Sequence, residues 1–533
     1  MSSSALIPTI GNALESVGAS WRSLGALVLL VLAGSFVRGR VAKRGLPLPP
    51  GPPGHWLFGN KLPHVKQSQV FARWIEEYGP IIKLRTGPRT IIIIGRYQPA
   101  VDIMEKEGQL LADRPRAVAA GEILSRGLRM ILAPAGEQFR RLRRAAHTHL
   151  QAKAAESYAP IQMAAARDVI VDLLDAPRGH MEHVERYAAS VILKITYGAT
   201  ARVRRTDPEI VTIHKMLGRF QMLMRPGSLL IERYPFLKHL PGFLYKWNTE
   251  IEEWRREEKA LFEKQIERVE RDIDEGSAGP SFARYLLERE ATVGEGDESG
   301  QGNTLSKIEK TYLAGSLFGA GSDTTAVALQ VVIMAAAHHP EAQRTIQKEL
   351  DAVVGRDRAP TFDDQPNLPQ IQAFILECLR WRPVTTLGFA HRALKDIIYK
   401  GMLIPEGAVV FGNHWAISRD ASVYPDPHTF DPQRWLTPQG EIREDLKFPS
   451  FGFGRRICPG QHIALRSIYI NAALIMWAFN LSESKTQPID VDAFVDGVVA
   501  HPKPFEVVFE PRVGGDKEGR GLRRVMEGYG EEI

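Results

Sequence analysis

Cysteine is scarce in this sequence: Cys378 and Cys458 are the only two in 533 residues. One possible pair cannot form a disulfide framework, and the same count excludes a Cys-rich zinc module. No charge of one sign dominates. Lysine and arginine number 68 against 62 acidic residues, a formal balance of +6 that is too mild to point to nucleic acid. Internal repeats are missing. The composition, 44% hydrophobic and 24% charged, excludes collagen-like, coiled-coil and disordered descriptions of the whole chain. The apolar run nearest the N-terminus, residues 23–37, is fifteen residues long and falls short of the ~20 that a bilayer span takes.

What is there begins with that short run. Arg22 and Arg38 flank it and can snorkel to the two interfaces, which makes a span feasible. The alternative is a cleaved signal peptide. Two features favour an uncleaved anchor. The upstream stretch is long and carries Glu15, and the basic cluster Arg38, Arg40, Lys43 and Arg44 follows the run as a cytosolic flank would. Residues 1–45 are therefore expected to be a membrane anchor with its basic flank. Five prolines in residues 46–54 read as a semi-rigid hinge, the alternative being a proline motif for a partner. Residues 55–513 are the expected catalytic body. The glycine-rich, charged residues 514–533 are expected to be disordered.

Within the body, residues 81–84 and 91–94 flank Thr86-Gly87-Pro88-Arg89 and predict a β-hairpin. Ile251, Trp254, Leu261, Phe262, Ile266, Val269 and Ile273 form an apolar stripe with helical period. Residues 276–302 read as an exposed loop. Ser306-Lys307-Ile308-Glu309 is a capping box that opens a long apolar helix running to about Pro340, roughly 50 Å. Short strands are expected at 397–399, 409–411 and 505–509. The fold class is mainly α with small β-sheets (α+β).

The most informative stretch is Phe451-Gly452-Phe453-Gly454-Arg455-Arg456-Ile457-Cys458-Pro459-Gly460. Its glycines permit a tight turn and close approach to a flat ligand. A helical pattern follows, with Pro459 suited to its first position and Cys458 at its cap. A helix N-terminus favours a thiolate over a thiol. A thiolate against a glycine-lined cavity, with an arginine two residues away, suits an axial haem ligand.

The stretch resembles the haem-binding pattern FxxGxRxCxG of the cytochrome P450 family, met at Phe451, Gly454, Arg456, Cys458 and Gly460. Cys378 is expected to pack. Further motifs carry the same resemblance. Glu377-Cys378-Leu379-Arg380 is similar to the family's ExxR. Phe430-Asp431-Pro432-Gln433-Arg434-Trp435 resembles the loop that supplies Arg434 as the third member of a buried ion-pair network. Ala320-Gly321-Ser322-Asp323-Thr324-Thr325 resembles the oxygen-activation motif. There the resemblance implies that Gly321 leaves room beside the iron, that Thr324 takes a backbone bond and opens the helix locally, and that Asp323 with Thr324 delivers protons. Gly319-Ala320-Gly321 is a poor dinucleotide fingerprint, because the third glycine and the preceding strand are missing. The resemblance also implies cations for the haem propionates: Arg456, Arg143 in a stretch similar to WxxxR with Phe139 in place of Trp, His391, and Arg114.

The resemblance implies a microsomal, fungal-type haem-thiolate monooxygenase. It would be anchored in the endoplasmic reticulum membrane by a single pass with its catalytic domain cytosolic. It would act on an apolar small molecule with O2 and with electrons from an NADPH–cytochrome P450 reductase, in secondary metabolism. The other class is a non-oxygenating haem-thiolate isomerase, dehydratase or haem-based binder. Asp323 and Thr324 favour oxygenation. The substrate pocket would draw on residues 116–134, 229–244, 318–320, 384–389 and 494–499. The apolar part of 229–244 is either a membrane-dipping segment or core. Arg140, Arg141, Arg144, Lys447 and Arg455 would meet the reductase.

Overall fold

The run Ile91-Ile92-Ile93-Ile94 is continuous rather than alternating, as a strand covered on both faces requires. In the computed structural model, which describes residues 45–199, 206–225, 227–292, 304–514 and 519–530, it lies in the middle of the largest sheet. The expected hairpin forms from antiparallel strands Ile81–Thr86 and Arg89–Ile94, turning at Gly87 with φ 57°. The second strand pairs in parallel with Val409–Gly412, which pairs antiparallel with His391–Arg392. Phe479–Glu483 and Val507–Pro511 form a separate two-stranded sheet. The last of these begins two residues later than the sequence suggests.

Helix accounts for 54% of the structure and strand for 9%, in line with the mainly α expectation. The organising element is the helix Lys307–His338. Its capping box is made: the Ser306 N–H donates to Glu309 Oε2 at 2.9 Å, and the Glu309 N–H to Ser306 Oγ. Helices His180–Tyr197, Trp247–Asp274, Pro369–Trp381 and Gln461–Ala478 pack around it. It is the one helix among the described residues that is long and apolar enough to cross a membrane, and it is mostly buried as core. The expected anchor run, residues 23–37, lies outside the described residues.

Residues 46–54 form neither helix nor strand. The chain divides into two compact units, one of which takes residues 45–48 of the described chain with 398–403. Inside that small unit the Leu403 N–H donates to the Pro47 carbonyl at 2.8 Å. In the large unit, Pro50 accepts from the Lys83 N–H at 2.7 Å, and a Cβ on Gly51 would meet the Lys83 carbonyl at 2.2 Å. Proline and glycine there fit a chain lying flat on the strand.

Two expectations fail. Residues 276–302 are not all loop, because Phe282–Thr292 is a helix with Phe282, Ala283 and Leu286 buried. The tail is not structureless either. Arg520–Met526 is a helix that packs on Ala159–Asp175, with Leu522 and Met526 buried, and the Tyr529 hydroxyl donates to the Pro360 carbonyl at 2.6 Å. In both segments a few apolar residues at helical spacing outweigh the polar composition around them.

Candidate active site

The cysteine loop is held shut by its own backbone. The Cys458 N–H donates to the Phe451 carbonyl at 2.9 Å, and Phe451 packs half-buried against the core. Gly454 has φ 53°, its N–H donates to the Glu105 carboxylate at 2.6 Å, and a Cβ there would lie 2.7 Å from the Met104 carbonyl. No other residue fits that position without moving the neighbouring chain. Gly460 is different: a Cβ would sit 4.0 Å from Cys458 Sγ, an ordinary contact. Its role is at the helix terminus. The helix begins at Gln461 with Gly460 as its cap, so Cys458 stands two residues before the cap rather than at it. Cys458 is partly accessible although protein surrounds it. That surrounding pushes the thiol up, while the Gly460 backbone N–H and the Arg143 charge pull it down. Cys378 is fully enclosed and pushed well up by burial, which suits a packed, inert thiol.

The expected ion-pair network is complete. Arg380 Nη2 and Nε donate to the two oxygens of Glu377 at 2.6 and 2.8 Å, with both side chains fully buried. Arg434 Nε adds a contact of 3.2 Å to the same carboxylate. The sequence reading missed two further donors to Glu377, Trp435 Nε1 at 2.9 Å and the Asp431 N–H at 2.8 Å. The remaining guanidinium hydrogens go to the carbonyls of Ser418, Pro425, Pro427 and Thr429.

The four expected propionate cations fall into one electrostatic cluster with Cys458. Arg143 acts on Cys458 and on Arg456, Arg456 acts on Arg114, and both Arg114 and Arg456 act on His391. Burial pulls Arg114 down to about 9 and Arg456 down to about 10. His391 is pulled down to about 3, mainly by burial and then by Arg114, and its Nδ1 donates to the Leu111 carbonyl at 2.7 Å. Asp113 is the acid facing Arg114 and Arg456, and it is already paired with Arg392. Arg456 presently donates to the Ala112 and Ala133 carbonyls at 2.6 and 2.7 Å and lies 3.4 Å over the Phe139 ring. Arg143 has no hydrogen bond or ion pair among the described residues.

Two observations test whether these residues fit a haem. First, the cluster carries more buried positive charge than its acid neutralises, which two propionate carboxylates would balance. Second, Ala320 is exposed and Thr324 half-exposed on one face of a helix otherwise buried along most of its length. That face opens on space rather than on packed side chains. The residues fit.

On this helix Thr324 Oγ1 donates to the Ala320 carbonyl at 2.9 Å, and the helix continues without interruption. The expected local opening is not present. Gly321 also differs from expectation. A Cβ there would meet Ile192 at 2.6 Å, so the room it leaves is filled by the helix His180–Tyr197. Asp323 is bound by two residues that the sequence gave no reason to choose, Gln221 at 3.0 Å and His501 at 2.7 Å.

The substrate segments divide. Val118, Ala119, Ile123, Leu229 and Ile231 are buried in one apolar cluster with Phe220. Phe236 and Phe243, in contrast, are 64% and 86% exposed. Of the expected docking residues, Arg140, Arg144, Lys447 and Arg455 are exposed, but Arg141 turns to Glu309 at 3.0 Å.

Comparison with known proteins follows this geometry closely. The family model described as Cytochrome P450 matches residues 49–509. Cytochrome P450 monooxygenase 64 of Postia placenta is 49% identical over 87% of this chain and 91% of its own length. A cytochrome P450 monooxygenase of Armillaria gallica is 35% identical over 87% and 91%. A zebra fish cytochrome P450 solved with progesterone superposes with a TM-score of 0.68, covering 84% of this chain and 99% of that one, and shares the fold at 24% identity.

Proposed function

The chain belongs to the cytochrome P450 family, and on that premise we propose that it oxidises an apolar small molecule with Cys458 as the haem ligand and a membrane-bound NADPH reductase as electron source. It is a haem-thiolate monooxygenase. The bound haem supplies the chemistry that places one atom of O2 in a substrate and sends the other to water. The protein's part is to hold, orient and protonate.

The observation that carries the assignment of Cys458 is the surplus of buried cations around it. Arg143, Arg456 and Arg114 form a cradle for two carboxylates on the side of the one partly accessible cysteine. The Glu377 network fixes the segment 425–435. Thr324 on the open face of the long helix, with Asp323 next to it, supports proton delivery and so favours oxygenation over isomerisation or plain binding. The test is spectroscopic. Cys458→Ser abolishes the far red-shifted Soret band of the ferrous CO complex, and Cys378→Ser keeps it. The opposite pattern would overturn the assignment.

The apolar lining of residues 116–134 and 229–237 supports an apolar substrate. Exposed Trp56 and Phe58, with Arg233 stacked 5.6 Å over Phe58, join exposed Phe236 and Phe243 in supporting contact with a bilayer. The short apolar run at 23–37 with its basic flank supports a single-pass anchor in the endoplasmic reticulum, with the catalytic domain cytosolic. The fungal origin of the relatives supports a place in fungal secondary metabolism.

A further inference from the structure

Asp323 joins three elements. Its Oδ2 accepts from the Gln221 amide at 3.0 Å, on the helix Pro208–Met224. Its Oδ1 lies 2.7 Å from Nε2 of His501, on the short strand His501–Pro502. The Asp323 side chain is 15% exposed and the His501 side chain 32%, so the acid faces inward while the ring reaches solvent. Thr324, the next residue, lies on the open face of the helix.

These bonds determine where protons sit. The Val499 backbone favours the protonated ring. The Nε2···Oδ1 contact needs a hydrogen between ring and carboxyl. With the ring protonated, that hydrogen is one the ring can give up to Oδ1 and still stay neutral. Two acids face the ring, Asp323 from the long helix and Glu185 from the helix His180–Tyr197, which itself accepts from Gln330 at 3.3 Å. Burial alone would lower the ring's pKa, and these acids together with Val499 outweigh it and raise it.

We propose that His501 is a positioning residue that holds Asp323 and resupplies its proton from solvent. His501 Nε2 passes its proton to Oδ1, Asp323 gives that proton on toward Thr324, and the ring takes a new one from water. One proton enters for each that leaves, and no electron moves. The proposal rests on Asp323 and Thr324 being the proton path.

The full-length holoenzyme with reductase, without added substrate, provides the test. Oxygen reduction then ends either in peroxide, with two electrons and two protons, or in two waters, with four of each. Peroxide per NADPH therefore reports proton supply. In the wild type this ratio should rise as pH passes upward through the raised pKa of His501. His501→Gln should give a ratio several-fold higher that no longer changes with pH. His501→Lys should restore the low ratio and move its rise to higher pH. A wild-type ratio in His501→Gln, or no rescue by lysine, overturns the proposal. The His501 resonance in protein carrying labelled histidine gives an independent readout: it should titrate above ~6.5 and fall in Asp323→Asn. Titration at or below that value, or indifference to Asp323→Asn, overturns the proposal even if the His501 variants fail to fold. An unchanged peroxide ratio in Asp323→Asn would instead remove the underlying proton path.

Discussion

Two clusters of arginine differ in one respect. Around Glu377, the guanidiniums of Arg380 and Arg434 are met by a shared carboxylate and a ring of carbonyls, and the Trp435 indole and the Asp431 N–H donate to the same carboxylate. Around Cys458, Arg114 and Arg456 also reach carbonyls, but they repel each other and share Asp113, which Arg392 already occupies, and Arg143 acts on Arg456 with no acid of its own. The first cluster is closed within the protein. The second is complete only with an anion that the chain does not supply. Burial without compensation marks a ligand site; burial with full compensation marks scaffold.

Breaking the closed cluster should have the largest effect. Glu377→Ala leaves two buried guanidiniums without their carboxylate, a loss of about 3–5 kcal/mol. The expected outcome is no folded holoprotein, read as absence of the CO complex and of a cooperative thermal transition. A folded Glu377→Ala protein with normal haem would show that the carbonyls alone satisfy Arg380.

The open cluster should respond in the opposite sense. Arg143→Gln removes a cation that has no partner among the described residues. It should leave the apoprotein as stable as before or more so, and lower haem retention about tenfold, by a charge-assisted bond's worth of ~1.5 kcal/mol. Haem transfer to an acceptor protein, beside apoprotein melting, measures the two separately. Equal destabilisation of apo and holo forms would place Arg143 with the scaffold.

These contrasts also explain how far the sequence could be read. ExxR sits on one helix turn, and Arg434 follows in a recognisable loop, so the scaffold was legible. The four propionate cations were legible as motif positions, although their mutual repulsion appears only when Arg114, Arg143, His391 and Arg456 are brought together from distant segments. Gly321 was misread because its neighbour, Ile192, lies more than a hundred residues away on another helix. His501 is 178 positions from Asp323, in a strand two residues long, and no local pattern announces it. The helix Arg520–Met526 was hidden by glycine and charge around three apolar residues.

Acid should separate the clusters more gently, because only the open one contains a histidine among its members. Burial holds His391 down at about 3, and His414, whose charge acts on it, at about 4. In the unfolded chain both take protons near 6.5. Between those values the unfolded state binds more protons, so stability is present above about pH 6.5 and is lost as pH falls toward 3. His391→Gln should make that loss shallower in the apoprotein, measured by denaturant midpoints from pH 7 to pH 4. Haem carboxylates should raise the His391 pKa and flatten the same limb in the holoprotein. An acid limb identical in apo and holo forms would argue against the anion the open cluster is missing.

The smallest effect should come from arginines that belong to neither cluster. Arg140, Arg144 and Arg455, with Lys447, are exposed near the helix and loop that carry Arg143 and Cys458. Water and ions already screen them, over about 8–10 Å at moderate salt. An exposed pair with an acidic partner contributes about 0.2–1 kcal/mol, and it acts on encounter more than on the docked complex. If this face meets the reductase, Arg140→Glu with Arg455→Glu should slow reduction of the haem several-fold at low salt. The slowing should fade as salt rises, while substrate affinity and the melting temperature stay unchanged. Arg141→Glu should behave differently, because Arg141 is tied to Glu309 at the cap of the long helix and its reversal should cost stability at any salt. Stopped-flow reduction across a salt series distinguishes the two. Salt-independent slowing by all three substitutions would move the docking face elsewhere, and loss of stability in Arg140→Glu would show that this residue is not free surface at all.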